Sequence, residues 1–479
     1  MSKSMAGGEG GEGGLLDFGV PAGGVEPTWP WAINRGLSFS FLLKPPTARH
    51  QLLPRVQPSN LVDMTSVKTL LSLFALLAVT WAGPVERRKW EFKPNPNYPP
   101  DAVDMLLVAT MPKVAVWVAR RAGSTNNCTL ENAAVRKEWS DLTPDERREY
   151  IRAVLCLQSK PSLVPEGQVP GALSRFDDFV ATHMILTATL HSEPNLLAAH
   201  RYYIWAYEKA LREECGYTGY QPYMNYERYA DDPIHSPLFD GSDTSLGGNG
   251  EPHEYPGIYT PFPAPYDLIP PAGGGGCVTT GPFKDMVVSL GPGSTVVQDI
   301  PPNPRRDGLG SNPRCLRRDV NKFSAAGARV NYTLSTIVDN PTIDGFYGRY
   351  LGQPLLEGDP YPWGIHIAGH YIIGGDPGGD FYASPGDPAF YLHHAMLDRV
   401  WWIWQMQDPD NRVNAVPGYG NVAPPPPGGH GGHGGHKKQK RQSIWDEVVD
   451  LGWTAPPAKL MDLNEQLGGL GGEFCYVYA

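Results

Sequence analysis

"WGIHIAGHYIIGGDPGGDFYASPGDPAFYLHHAMLDRVWWIWQ", Trp363 to Gln405, holds four of the thirteen histidines in a chain of 479 residues. They are His366, His370, His393 and His394. Apolar residues recur at helical spacing near Tyr361–His370 and again over Asp387–Gln407. An i, i+4 pair shares one helix face, so His366 and His370 can close on a common ion. His393 and His394 are adjacent, and neighbours on a helix point about 100° apart. Only one of the two is therefore expected to face the ion. Three neutral imidazoles, with no thiolate or carboxylate in register, suit copper, zinc or nickel.

A second group lies upstream, His183, His191 and His200, spaced H-x7-H-x8-H. The segment "ALSRFDDFVATHMILTATL" predicts a helix over 172–190 with His183 inside it and His191 just past its end. "LLAAHRYYIWAYEKALREE" predicts the next, over 196–214, with Ser192 and Pro194 as start signals and Gly216 as the stop. Six ligands on four helices suit a metal pair in a helical bundle. A lone helical histidine is more often a surface or satisfied core residue, and His235 and His253, in loops, are read that way. Five or six imidazoles in apolar helices are different, because an unpartnered buried imidazole is costly. His430, His433 and His436, in "GGHGGHGGH", read as part of a flexible linker.

The rest of the chain frames this nucleus. Its 55 glycines and 49 prolines predict long irregular loops. "LTPDERREYIRAVLCLQ" opens with a cap signal at Thr143 and Pro144. Residues 215–320 are loop-rich, and 421–442 ("NVAPPPPGGHGGHGGHKKQKRQ") form a low-complexity insert. The tail ends in a short strand at Phe474–Tyr478. The expected class is mainly α: a four-helix bundle, long loops and a few short strands, in one domain over 90–479. A net charge of −10, with no basic stripe, excludes a nucleic-acid surface.

The run Met64–Gly83 has the layout of a signal peptide, placed at 64–82, with an apolar centre too short for a comfortable membrane span. Residues 1–63 then read as a disordered or non-native extension, and Arg87 and Arg88 as a possible dibasic processing point. Six cysteines without a C-x-x-C favour disulfides, in any of fifteen pairings. Asn127 and Asn331 head glycosylation sequons. Together these predict a secreted glycoprotein, free of the membrane once the leader is removed.

"H-x7-H-x8-HR", "Y-x4-YEKALRE", "H-x3-H" and "DPAFYLHHAMLDRVWWIWQ" together resemble the type-3 copper family: tyrosinases, catechol oxidases and haemocyanins. The chain is most similar to the short secreted polyphenol oxidases of filamentous fungi, from about Asn126 to its end. The resemblance implies two copper ions as cofactor, each held by three histidine Nε2 atoms. Copper A falls on His183, His191 and His200, and copper B on His366, His370 and His394, with His393 as their neighbour. Phe390, Asp398 and Arg201 match positions that pack against or orient the ligands. Substrates would be phenolic small molecules and O2: two o-diphenols give two o-quinones while O2 is reduced to water.

Departures from the family pattern bear on the subclass. Thr189 stands where some members carry a thioether-linked cysteine. Glu357 matches the glutamate that helps to hold a water for monophenol deprotonation, but Ile367 replaces its asparagine partner. This predicts o-diphenol oxidation with weak or no monophenol hydroxylation. Tyr371, after His370, is either a substrate-facing hydroxyl or a packing aromatic, and Phe381 to Ala383 lie where the family places its gate. The competing classes are a dioxygen carrier on the same centre and a dinuclear zinc hydrolase.

Overall fold

The computed structural model describes residues 90–121, 127–260, 262–294, 299–354, 358–421, 444 and 447–479. The expected leader, the N-terminal extension, Arg87 and Arg88, residues 422–442 of the insert and Glu357 lie outside these.

Among the described residues, eight helices of eight residues or more form the frame: α1 (Ala102–Arg121), α2 (Pro144–Ser159), α3 (Arg175–Leu190), α4 (Leu196–Cys215), α5 (Val330–Val338), α6 (Ile343–Tyr350), α7 (Gly364–Ile373) and α8 (Ala389–Gln407). Local chemistry sets their ends. At α2 the Thr143 hydroxyl accepts from the Glu146 N–H while Glu146 reaches back to the Thr143 N–H, with Pro144 at the first position. This reciprocal cap satisfies two donors that a helix start leaves bare. At α3 Ser174 and Asp177 do the same. α4 starts at Leu196, as the sequence reading has it, but not on the expected signals. Its cap is Asn195, whose side chain makes no capping bond, and the Ser192 hydroxyl turns back to the Thr189 carbonyl instead. Gly216 ends α4 in the left-handed region at φ 70°, where a residue without Cβ is unstrained.

α8 is the axis of the core. Every residue from Ala389 to Met406 is buried, including Trp401, Trp402 and Trp404. A helix apolar on all sides needs neighbours on all sides, and α1, α4, α5 and α7 supply them. α1 is long and apolar enough to cross a membrane by length and composition. The sequence reading singled out only 64–83 in this respect. In the fold, α1 lays Val103, Leu107, Met111 and Val114 into the core. Its buried Asp104 accepts from Arg399 of α8 at 2.6 Å. Removing one partner of such a pair costs about 3–5 kcal/mol.

The loop-rich middle carries two-stranded ladders only, among the described residues. It is held to the helices by buried ion pairs. Arg318 meets both oxygens of Asp387, just before α8, at 2.7 and 2.8 Å. Arg314 meets both oxygens of Asp376, just after α7, at 2.5 and 2.9 Å. The tail forms strand β2 (Tyr476–Tyr478), parallel to β1 (Ala134–Arg136). Disulfides join Cys128 to Cys475, Cys156 to Cys215 and Cys277 to Cys315. The first ties the tail to the chain before β1, and the second ties α2 to the end of α4.

Candidate metal centre

The two histidine groups converge. His183 and His191 come from α3 and its end, His200 from α4, His366 and His370 from α7, and His393 and His394 from α8. Within each group the possible ligand atoms lie within 4.8 Å of one another. The groups touch: the His200 and His394 rings stack at 4.5 Å and 14°.

In the first group each Nδ1 faces a backbone carbonyl: His183 to Tyr382 at 2.7 Å, His191 to Thr187 at 2.8 Å, and His200 to Leu196 at 2.8 Å. A carbonyl only accepts, so each Nδ1 carries the proton and each Nε2 is a bare lone pair. Fixing one ring nitrogen this way is how a metal-binding imidazole is oriented. The Nε2 atoms of His183 and His200 are buried with no hydrogen-bond partner among the described residues.

In the second group His370 Nε2 and His394 Nε2 face each other at 3.2 Å. Two nitrogens on one ion, each bonded at about 2.0–2.1 Å, sit roughly this far apart. Neither ring nitrogen of His366 has a partner, nor does His394 Nδ1, among the described residues. These rings are held by packing. His366 stacks on Tyr350 at 5.5 Å, and His394 lies 4.2 Å from Phe390.

Burial dominates the proton affinities, as desolvation disfavours the imidazolium form. It lowers His191 to about 4 and His370 to about 3, and drives His183, His200, His366, His393 and His394 well down. At neutral pH all seven are in the neutral form that binds metal. Converging buried lone pairs without donors fit a pair of metal ions, and no carboxylate belongs to either group among the described residues.

His393 falls among the converging imidazoles of the second group. Its ring lies 4.5 Å from that of His370. Gly369 makes room, since a Cβ there would sit 2.2 Å from His393 Cε1. Its Nδ1 is engaged by the Tyr226 hydroxyl at 2.6 Å. Tyr226 and Gly369 went unnoticed in the sequence. Both act across loops, and no local spacing marks them.

Around the centre, Arg201 Nε donates to Asp398 Oδ1 at 2.6 Å, joining the residue after His200 to the residue four beyond His394. The hydroxyls of Tyr476 and Tyr478 donate to Asp398 Oδ2 at 2.8 and 2.7 Å, so the tail reaches the same carboxylate. Phe390 lies against His183, His370 and His394. Phe381 lies 4.7 Å from the His191 ring and is 41% exposed. Tyr371, 7% exposed, stands in a separate apolar cluster with Ile258, Phe262, Ile269 and Trp363, and half-buried Ile367 packs against it. Asn127 and Asn331 are exposed.

Residues 173–407 match the family model described as the common central domain of tyrosinase. A tyrosinase-like protein of Emericella nidulans, orsC, is 44% identical over 310 residues, 61% of this chain and 79% of that protein. An N-acetyl-6-hydroxytryptophan oxidase of the same organism, ivoB, is 37% identical, covering 78% of this chain and all of that one. A polyphenol oxidase structure from Thermothelomyces thermophila superposes with a TM-score of 0.67 at 36% identity, over 79% of this chain and 98% of that one.

Proposed function

The chain belongs to the tyrosinase family, an oxidoreductase built on a dicopper centre for phenols and O2, and on that premise we propose that it oxidises o-diphenols to o-quinones with little hydroxylation of monophenols. In this reading His183, His191 and His200 hold copper A, and His366, His370 and His394 hold copper B. The convergence of six bare or mutually facing imidazole nitrogens from four helices carries the proposal. When bound, the copper pair takes two electrons from each diphenol and passes electrons to O2.

The protein supplies the frame. Backbone carbonyls fix three rings, Arg201 and Asp398 tie α4 to α8, and apolar walls keep the centre dry. Excluding water strengthens the interactions inside such a site. Phe381, half out in solvent over His191, is the entrance aromatic. The substrate preference rests on Ile367. An isoleucine cannot hold a water opposite the glutamate, and a water held from one side is poorly ordered.

Three disulfides suit an oxidising compartment. With the leader-like run at 64–82 and exposed asparagines in both sequons, they support a secreted, glycosylated enzyme. The zinc hydrolase reading is disfavoured, since dinuclear hydrolases usually bridge their metals with carboxylates and both groups here are all imidazole. The relative acting on N-acetyl-6-hydroxytryptophan makes hydroxyindoles and o-aminophenols the next substrates to try. Initial rates on tyrosine, catechol and o-aminophenol, measured beside copper content, test the proposal. Catechol turnover with two coppers per chain and little tyrosine hydroxylation is expected. Tyrosine hydroxylated as fast as catechol is oxidised would replace it with the tyrosinase reading.

A further inference from the structure

Asp380 is a buried carboxylate outside both imidazole groups, 1% exposed, whose hydrogen bonds lead back to the first of them. Its Oδ1 accepts from the backbone N–H groups of Tyr382 at 2.7 Å and Ala383 at 3.0 Å. Its Oδ2 accepts from those of Gly293 and Ser294, each at 2.9 Å. One side chain thus binds the turn it starts to a second loop lying across it.

The next two residues do different work at the centre. Phe381 sets its ring against His191 at 4.7 Å. The Tyr382 carbonyl accepts the His183 Nδ1 proton at 2.7 Å and so turns His183 Nε2 inward as a lone pair. The second loop is packed hard onto this turn, since a Cβ on Gly293 would lie 2.6 Å from Tyr382 Cβ. The bidentate Arg314–Asp376 pair anchors the start of the turn separately.

We propose that Asp380 is a positioning residue for the copper A half, whose carboxylate fixes both the tautomer of His183 and the seat of Phe381 over His191. The inference rests on reading His183 and His191 as copper ligands. Two readouts separate it from a merely structural role, one for each branch of the turn. In the copper-loaded, full-length enzyme, Asp380→Asn replaces one acceptor oxygen with an amide that faces N–H donors. One of the two coppers should then leave several-fold faster during dialysis against a chelator. The KM for catechol should rise several-fold, with a smaller change in kcat. Phe381→Ala should shift KM and leave copper retention as in the wild type. In the double variant the KM effect of Asp380→Asn should vanish while the faster copper loss remains.

Wild-type retention and KM in Asp380→Asn, or a KM effect that adds in full to that of Phe381→Ala, would overturn the proposal. His183→Ala separates its failure from that of the ligand reading, because that variant must fall to about one copper per chain. Two coppers retained there would sink the ligand assignment instead. If Asp380→Asn does not fold, Gly293→Ala presses on Tyr382 with the carboxylate intact. It should reproduce both changes in milder form, and unchanged values for both would count against the proposal.

Discussion

The two halves of the centre hold their imidazoles by different means. In the first, three Nδ1–H groups donate to three backbone carbonyls. In the second, among the described residues, His366 has no hydrogen-bond partner at either nitrogen, and His394 has none at Nδ1. Tyr350 and Phe390 hold those rings by their faces. A hydrogen bond fixes tautomer and rotation together, whereas packing fixes the ring plane and leaves the proton free to sit on either nitrogen. On the copper reading, the first half is expected to be oriented before metal arrives and the second, where His366 and His394 lack such bonds, to be completed by it.

The largest expected effects test that contrast directly. His394→Ala should abolish oxidation and lower copper content by about half, as read by metal analysis, while His393→Ala should do less. Equal losses would mean that both adjacent imidazoles serve the metal. Under a chelator, the wild type should release copper in two phases, copper B first. Simultaneous loss, or copper A first, would break the distinction between a hydrogen-bonded and a packed half.

The pH dependence of the metal-free protein comes next. Burial holds His191 at about 4 and His370 at about 3 in the fold, against roughly 6.5 for an unfolded histidine. The unfolded chain then binds more protons below about pH 6.5. Stability from these groups is complete above that value and is lost as pH falls toward 4. Each such histidine contributes at most about 1.4 kcal/mol per pH unit across that window. Chemical denaturation of the metal-free protein from pH 7 to 4 should show this slope, and copper loading should move its onset to lower pH. A flat profile would mean that the rings are hydrated rather than buried.

What the sequence revealed follows the range of the interactions involved. The helices bearing the histidines were legible because periodicity and end signals act within a few residues: Thr143 and Pro144 do cap α2, and Gly216 does end α4. α4 begins at Leu196 as expected, but Ser192 does not cap it: Asn195 holds the cap position without a side-chain bond, and the Ser192 hydroxyl bonds back to Thr189. Residues that hold the centre from afar stayed hidden. Tyr226 lies 167 positions from His393, and Asp380 works through backbone N–H groups that any residue type provides. The room for the His393 ring likewise comes from afar, from a glycine on another helix.

Ile367→Asn probes the substrate side of the packed half. Restoring an amide there should raise the ratio of tyrosine hydroxylation to catechol oxidation several-fold, with copper content unchanged. An unaltered ratio in the two initial-rate assays would show that a water held by this pair does not set the preference. Ile367 packs against the cluster of Ile258, Phe262, Ile269 and Trp363, so a modest loss of thermal stability should accompany the change.

Tyr226→Phe is the smallest change and the sharpest on the packed half. The Tyr226 hydroxyl is the side-chain hydrogen-bond anchor of His393, at 2.6 Å from Nδ1, and it also lies 3.1 Å from the His393 carbonyl. Phenylalanine keeps the ring packing and removes both contacts, which leaves a buried nitrogen unsatisfied at a cost of about 1–3 kcal/mol. The thermal midpoint of the metal-free protein should fall accordingly. Copper should offset little of that fall if His393 only neighbours the site, and most of it if the freed imidazole turns onto copper B. Midpoints with and without copper, compared between Tyr226→Phe and wild type, therefore report which role His393 plays without reference to turnover.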